Sequence, residues 1–148
     1  MSAAVVLDAT PLGTLCHPRN PPPVMACRQW IDDLLAKGRR VIVPEIADYE
    51  VRRELIRRNS RIALGNLDQL AARLEYVPLT TTAMRLAADL WARARGAGQP
   101  TAPDPSIDAN VILAAQALSL NTALIVATGN PSHLIRFVPA ELWTNIPV

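Results

Sequence analysis

Four short apolar runs punctuate the chain. Val5-Val6-Leu7 stops at Asp8 and Val41-Ile42-Val43 stops at Pro44. Leu124-Ile125-Val126-Ala127 is closed by Gly129-Asn130-Pro131, and Leu74-Glu75-Tyr76-Val77 is a weaker fourth. Short β-branched runs bounded by turn residues predict buried strands. They are apolar throughout rather than alternating, which predicts cover on both faces, as in a parallel sheet.

Between these runs the spacing becomes helical. Val24 to Ala36 carries Trp30, Ile31, Leu34 and Leu35; Ile46 to Arg58 carries Val51, Leu55 and Ile56. Ile62 to Leu74 has Leu64, Leu67, Leu70 and Ala71, and Thr82 to Arg95 has Leu86, Leu90 and Ala94. Ser106 to Leu120 is apolar around most of its circumference, which predicts a helix packed on several sides. Strands alternating with helices predict an α/β fold with a mostly parallel sheet. The proline-rich stretch Cys16 to Pro23 is expected to be a loop, as is Gly96 to Pro105. There is no internal repeat, and residues 1–148 are expected to form one domain.

Composition narrows the classes. Half of the 148 residues are hydrophobic and 19% are charged, enough for one buried core and too apolar for a disordered tail. Two cysteines, Cys16 and Cys27, are too few for a disulfide scaffold or a Cys-based zinc site. No apolar run approaches the roughly 18 residues that span a bilayer. Ser2-Ala3-Ala4 leads at once to Asp8, with neither a basic start nor a long apolar signal region. The expectation is a cytoplasmic protein with no membrane partner. A net charge of +2 does not by itself point to nucleic acid.

The chemistry sits in the acids. Asp8 lies at the carboxyl end of the first predicted strand, where sites form in open α/β sheets; it equally fits a helix cap before Ala9-Thr10-Pro11. Glu45, Asp48, Glu50 and Glu54 follow the second strand on one helix. Asp48 can pair with Arg52, Glu54 with Arg58 and Glu50 with Arg53, as on a solvated face. Yet Glu50 and Glu54 are like charges four apart, which a purely stabilising pattern avoids. Asp104-Pro105 is a helix-start signal. Asp108 falls in the first turn of the most apolar helix, where a buried carboxylate needs a partner. Carboxylates gathered beside strand ends suit a hard cation such as Mg²⁺ or Mn²⁺.

In order along the chain, these stretches resemble the PIN domain family. Val-Val-Leu-Asp8-Ala-Thr10 looks like its opening, and Val-Pro-Glu-Ile-Ala-Asp-Tyr-Glu50 like its second motif. Asp108-Ala-Asn-Val-Ile-Leu-Ala-Ala-Gln-Ala-Leu118 resembles the third motif, and Leu-Ile-Val-Ala-Thr128-Gly-Asn130-Pro-Ser-His133 the last. The resemblance spans nearly the whole chain. It implies a three-layer α/β/α sandwich with a short, mostly parallel sheet, and a Mg²⁺- or Mn²⁺-dependent ribonuclease. It implies Asp8, Glu50 and Asp108 as catalytic metal-binding acids and Asp104 as an accessory metal ligand. Thr10, Thr128, Asn130 and His133 would be accessory or substrate-contacting groups. Many short members are VapC-type toxins held by a small antitoxin protein, often as homodimers. Asn130 departs from members that carry a fourth Asp there, and it adds no charge.

The basic residues complete the picture. Eight of fifteen, Lys37, Arg39, Arg40, Arg52, Arg53, Arg57, Arg58 and Arg61, lie within twenty-five positions. Part of this is a solvated helix face; Arg39, Arg40, Arg53 and Arg57 are the candidates for contact with an RNA backbone. If Asp8, Glu50, Asp104 and Asp108 share one metal pocket, nine acids face fifteen bases elsewhere, a surround of +6. The leading expectation is a metal-dependent endoribonuclease, the toxin of a type II toxin–antitoxin pair. The alternative is a PIN-fold module that binds RNA or protein with little or no nuclease activity.

Overall fold

A computed structural model describes residues 2–96 and 104–148, and for residues 104–107 the backbone only. The predicted strands form as β1 (Ala4–Leu7), β2 (Val41–Pro44), β3 (Glu75–Val77) and β4 (Leu124–Thr128), joined by β5 (Ala140–Leu142). The five make one sheet in the order β3-β2-β1-β4-β5, and every neighbouring pair is parallel. Chain order moves outward from β1 to one side through β2 and β3, then returns to the other side at β4. The switch point therefore lies between β1 and β4, where a parallel sheet opens a crevice beyond its carboxyl ends.

The helices are α1 (Ala9–Leu15), α2 (Pro22–Ala36), α3 (Glu45–Arg57), α4 (Arg61–Arg73), α5 (Thr81–Gly96) and α6 (Asp104–Leu118). Strand side chains alternate between two cores. Val6, Ile42 and Val126 pack with Ala83, Ala87 and Leu90 of α5 and Leu113 and Ala114 of α6. Val5, Leu7, Val41 and Val43 pack with Leu12 and Leu15 of α1, Ile31 and Leu34 of α2 and Leu67 of α4. Helix α3 joins both, placing Ile46 in the first and Ala47 and Val51 in the second. This is the three-layer arrangement expected. Gln116, buried on α6, accepts from the Ile46 N–H at 3.0 Å and donates to the Val77 carbonyl at 2.9 Å, tying α6 to the starts of α3 and the end of β3.

Two elements go beyond the predicted strands and long helices, and one expectation is corrected. The seven-residue α1 has no long apolar stripe to announce it, and forms because Asp8 caps it. Strand β5 is three residues, Ala-Glu-Leu, with no β-branched run. Pro22 and Pro23 belong to α2 and not to the preceding loop; proline suits a first helical turn, whose N–H groups have no partner in the helix. The expected loop at Gly96 to Pro105 is bounded by the last residue of α5 and the first of α6, and residues 97–103 lie outside the described residues.

The chain ends are tied at the amino edge of the sheet. Trp30 packs on Trp143 at 5.5 Å and donates from its indole to the Ile146 carbonyl at 3.0 Å. Arg39 donates to the carbonyls of Ala3 and Pro147. Cys16 and Cys27 are free thiols buried in the second core. Among the described residues no helix is long and apolar enough to cross a membrane.

Candidate active site

Asp8 stands where β1 ends and α1 begins. Its Oδ1 accepts from the Ala9 N–H at 2.7 Å, and its Oδ2 accepts from the Thr128 hydroxyl at 2.7 Å. The cap is held from a second side as well: the carboxylate starts the helix and is aimed by a buried hydroxyl from the end of β4. Burial raises its pKa from the ordinary value, and the two hydrogen bonds oppose that rise. The turn after β4 is pressed against α1. A Cβ on Gly129 would meet Thr10 Cγ2 at 2.7 Å, so only glycine fits. Thr10 itself is exposed.

Glu50 is half-buried in the second turn of α3. Burial, then the negative charge of Asp8, pushes its carboxyl group up to about 7, with Arg53 opposing. The ambiguity among the acids of α3 resolves by their partners. Glu45 accepts from the Leu79 N–H at 2.7 Å. Asp48, buried, accepts from the Tyr76 hydroxyl at 2.7 Å and Arg52 at 2.9 Å, and Arg52 also reaches Asp68 at 2.9 Å. Glu54 pairs with Arg57 and Arg58, which hold its pKa down at about 2. Glu45 and Asp48 fasten α3 to its neighbours and Glu54 is paired along its own helix; Glu50 is left with Asp8 as its charged neighbour across the crevice. A cleft of about 340 Å³ beside Glu50 is lined by Ala9, Thr10 and Gly13 of α1 and Glu54, Leu55 and Arg58.

The remaining expected residues have surroundings of their own. Asp108 is exposed and shares with Val111 and Ile112 a groove against Met84, Ala87 and Trp91 of α5. Among the described residues no group of three or more His, Cys, Asp or Glu is close enough to hold a metal ion. The expectation of a buried first-turn carboxylate is corrected: Asp108 is the fifth residue of α6 and exposed, because sequence spacing does not say to which side of the helix it points. Asp104 opens α6, and its side chain lies outside the described residues. Asn130 accepts from the N–H and hydroxyl of Ser132, capping the short 3-10 turn Pro131–His133. His133 ends that turn, half-buried.

The arginines separate by position. Arg39 and Arg40 precede β2, at the amino ends of the parallel strands, opposite Asp8. Arg39 binds chain-end carbonyls and Arg40 pairs with Glu75. They do not share the acidic crevice, because the short spacing to β2 places them at the wrong end of the strand. Arg53 lies on α3 one turn past Glu50, and Arg57 ends the helix paired with Glu54. The Arg53 guanidinium sits 5.1 Å from the ring centroid of Tyr49, a residue sequence reasoning passed over. Its only signal was an aromatic four positions before an arginine and one before Glu50.

Three solved structures share this architecture. A chain of VapBC2 from Rickettsia felis bound to a DNA fragment from their promoter aligns with a TM-score of 0.72 and 16% identity, over 95% of this chain and 98% of that one. A chain of DNA bound VapBC from Salmonella typhimurium aligns at 0.68 and 20% identity, over 96% and 99%. One from FitAcB of Neisseria gonorrhoeae aligns at 0.67 and 20% identity, over 96% and 99%. At such identities the likeness is one of fold. No curated protein matches the chain in sequence. The PIN domain model matches residues 5–131, from the first strand through the turn after β4, and so takes in Asp8, Glu50 and Thr128 together. With that match over most of its length, the chain belongs to the PIN domain family.

Proposed function

We propose that this chain is a metal-dependent endoribonuclease that cuts RNA phosphodiesters, and that it is the toxin of a type II toxin–antitoxin pair. The observation that carries the reading is the Asp8–Glu50 pair: two half-buried carboxyl groups facing each other at the switch point, both with raised pKa. Such a pair is a poor arrangement for two bare charges and a good one around a divalent cation. Hard oxygen donors fit Mg²⁺ or Mn²⁺. Asp8 and Glu50 would hold it, with Asp104 and Asp108 as the acids of α6 proposed to join them. The ion, when bound, supplies a water of lowered pKa and charge stabilisation at the phosphoryl group.

The chain's own residues do the rest. Thr128 and the Ala9 N–H keep both Asp8 oxygens in one orientation. Burial and the neighbouring Asp8 charge push the Glu50 carboxyl group up to about 7, and a bound cation would favour its ionised form. Arg53, Arg57 and Arg58 place positive charge beside the acids for phosphate oxygens, which fixes position and not sequence. Cleavage is proposed to leave a 5′-phosphate. The structures of like fold are VapBC and FitAcB assemblies, which supports a small antitoxin as partner. A homodimer and a cytoplasmic location go with this reading.

Purified protein with Mn²⁺ or Mg²⁺ is expected to cut RNA, and Asp8→Asn to abolish the cut while the far-ultraviolet circular dichroism is unchanged. No cleavage by the unaltered protein, or equal cleavage by Asp8→Asn, overturns the proposal. The exposed position of Asp108 favours a second reading, a PIN-fold binding module with little nuclease activity. Calorimetry separates the two, since the module would show no Mn²⁺ binding.

A further inference from the structure

Among the described residues three polar side chains are buried, Asp48, Gln116 and Thr128. Thr128 aims Asp8, and Gln116 joins α6 to α3. Asp48 takes a charge into the interior, where replacing an ion pair by apolar residues of like volume is often neutral or stabilising. Stability alone therefore does not account for it. Both of its oxygens are engaged. Oδ2 accepts from the Tyr76 hydroxyl at 2.7 Å and Oδ1 from Arg52 Nε at 2.9 Å, while Arg52 Nη2 reaches Asp68 of α4 at 2.9 Å. Burial, then the bond to Asp48, raises the pKa of the Tyr76 hydroxyl, so it stays a donor. Tyr76 stands opposite Val43 in the pairing of β3 with β2, which anchors the network in the sheet.

A step of two residues turns a helix through roughly 200°. Asp48 and Arg52, one turn apart, therefore share the face of α3 opposite Glu50 and Glu54, which both line the cleft beside α1. The start of α3 is pinned at Glu45 by the Leu79 N–H and at Ile46 by Gln116. Tyr76 and Asp68 hold two further points along the far face, and these resist a roll of the helix about its axis. We propose that the Asp48–Tyr76–Arg52 network positions Glu50: by fixing the roll of α3 against β3 and α4, it sets where the Glu50 carboxylate stands relative to Asp8 across the crevice. The inference rests on the nuclease reading and adds to it residues that act at one remove. Thr128 orients Asp8 by direct contact; Asp48 orients Glu50 through the body of the helix. The metal and proton chemistry stays with Asp8 and Glu50.

The test separates position from stability. Mn²⁺ is titrated calorimetrically into metal-free protein at high salt, where charges not in contact are screened. Tyr76→Phe removes one hydroxyl and no charge. Tyr76→Phe combined with Asp48→Leu removes the buried charge as well, and so relieves the burial cost that the single variant exposes. Leu34→Ala is the control: it opens a cavity in the second core and lowers Tm, but bears none of the network's hydrogen bonds. Far-ultraviolet circular dichroism checks that each protein is folded at the titration temperature. Groups that orient a metal ligand at one remove are worth roughly 10- to 100-fold in metal affinity. Both network variants are expected to lose that much, and Leu34→Ala to bind Mn²⁺ as the unaltered protein does. Unchanged affinity in Tyr76→Phe overturns the proposal. So does a double variant that regains affinity together with Tm, or an equal loss in Leu34→Ala, since either makes the network a matter of stability alone. An unaltered protein that neither binds Mn²⁺ nor cuts RNA removes the nuclease reading and this inference with it.

Discussion

Replacing Glu50 by glutamine is expected to stabilise the metal-free protein at alkaline pH and to do nothing at acid pH. The carboxyl group ionises near 4.5 in an unfolded chain and near 7 in the fold. Between those values the folded state holds a proton that the unfolded state has released, so stability falls as pH rises through the window. Above about 7 the loss is complete. The gap corresponds to about 3 kcal/mol as a ceiling, since water reaching a half-buried carboxylate softens the cost. Glutamine is nearly isosteric with protonated glutamate and never ionises. In EDTA, urea unfolding is therefore expected to give equal stabilities for the two proteins at pH 4 and an advantage of up to about 3 kcal/mol for Glu50→Gln at pH 8, or roughly 6–12 °C in Tm. Mn²⁺ at pH 8 is expected to raise the Tm of the unaltered protein well above that of the variant. Equal stabilities at pH 8, or an advantage of the same size at pH 4, would refute the burial of Glu50 beside Asp8.

Three further changes probe the surroundings of the pair. Thr128→Val keeps the shape but removes the donor to Asp8 Oδ2, and is expected to cut RNA cleavage roughly 10- to 100-fold, the worth of a hydrogen bond to a charged group; wild-type rates would show that Asp8 needs no orientation. Gly129→Ala forces a methyl group onto Thr10 and is expected to cost about 1–3 kcal/mol by thermal melting, partly restored by adding Thr10→Ser; a neutral single variant would disprove the close approach. Gln116→Leu leaves the Ile46 N–H and Val77 carbonyl without partners, so urea unfolding is expected to register a loss of about 2–4 kcal/mol. A loss under about 1 kcal/mol would mean that other groups take over both bonds.

What could be read from the sequence was whatever local chemistry decides. Val-Val-Leu broken by Asp8 signals a buried strand ending in a carboxylate, and strand β1 with its capped helix follows. The long helices announce themselves by spacing. Glu50, Glu45 and Asp48 could not be told apart by spacing, because what separates them is Leu79, Tyr76 and Arg52 as partners, two of which come from other parts of the chain. Thr128 was visible as a threonine after a strand, but its bond to Asp8 spans 120 positions. Arg39 and Arg40 were grouped with the α3 arginines by sequence proximity, although a parallel strand separates the two ends of the sheet. Strand β5 carries no pattern of its own and exists because β4 offers it an edge.

The central strand also sets the order in which the molecule can be completed during synthesis. Strand β1 is made first, yet one of its two neighbours, β4, is nearly the last element translated. At roughly 5–20 residues per second, a ribosome needs about 6–24 s to travel from Asp8 to Thr128. Throughout that interval the nascent chain carries Asp8 and then Glu50 with β1 open along one edge and no hydroxyl aimed at the carboxylate. The switch-point crevice is completed only when the final fifth of the chain arrives, so the central strand gains its second neighbour and Asp8 its hydroxyl partner in the same step.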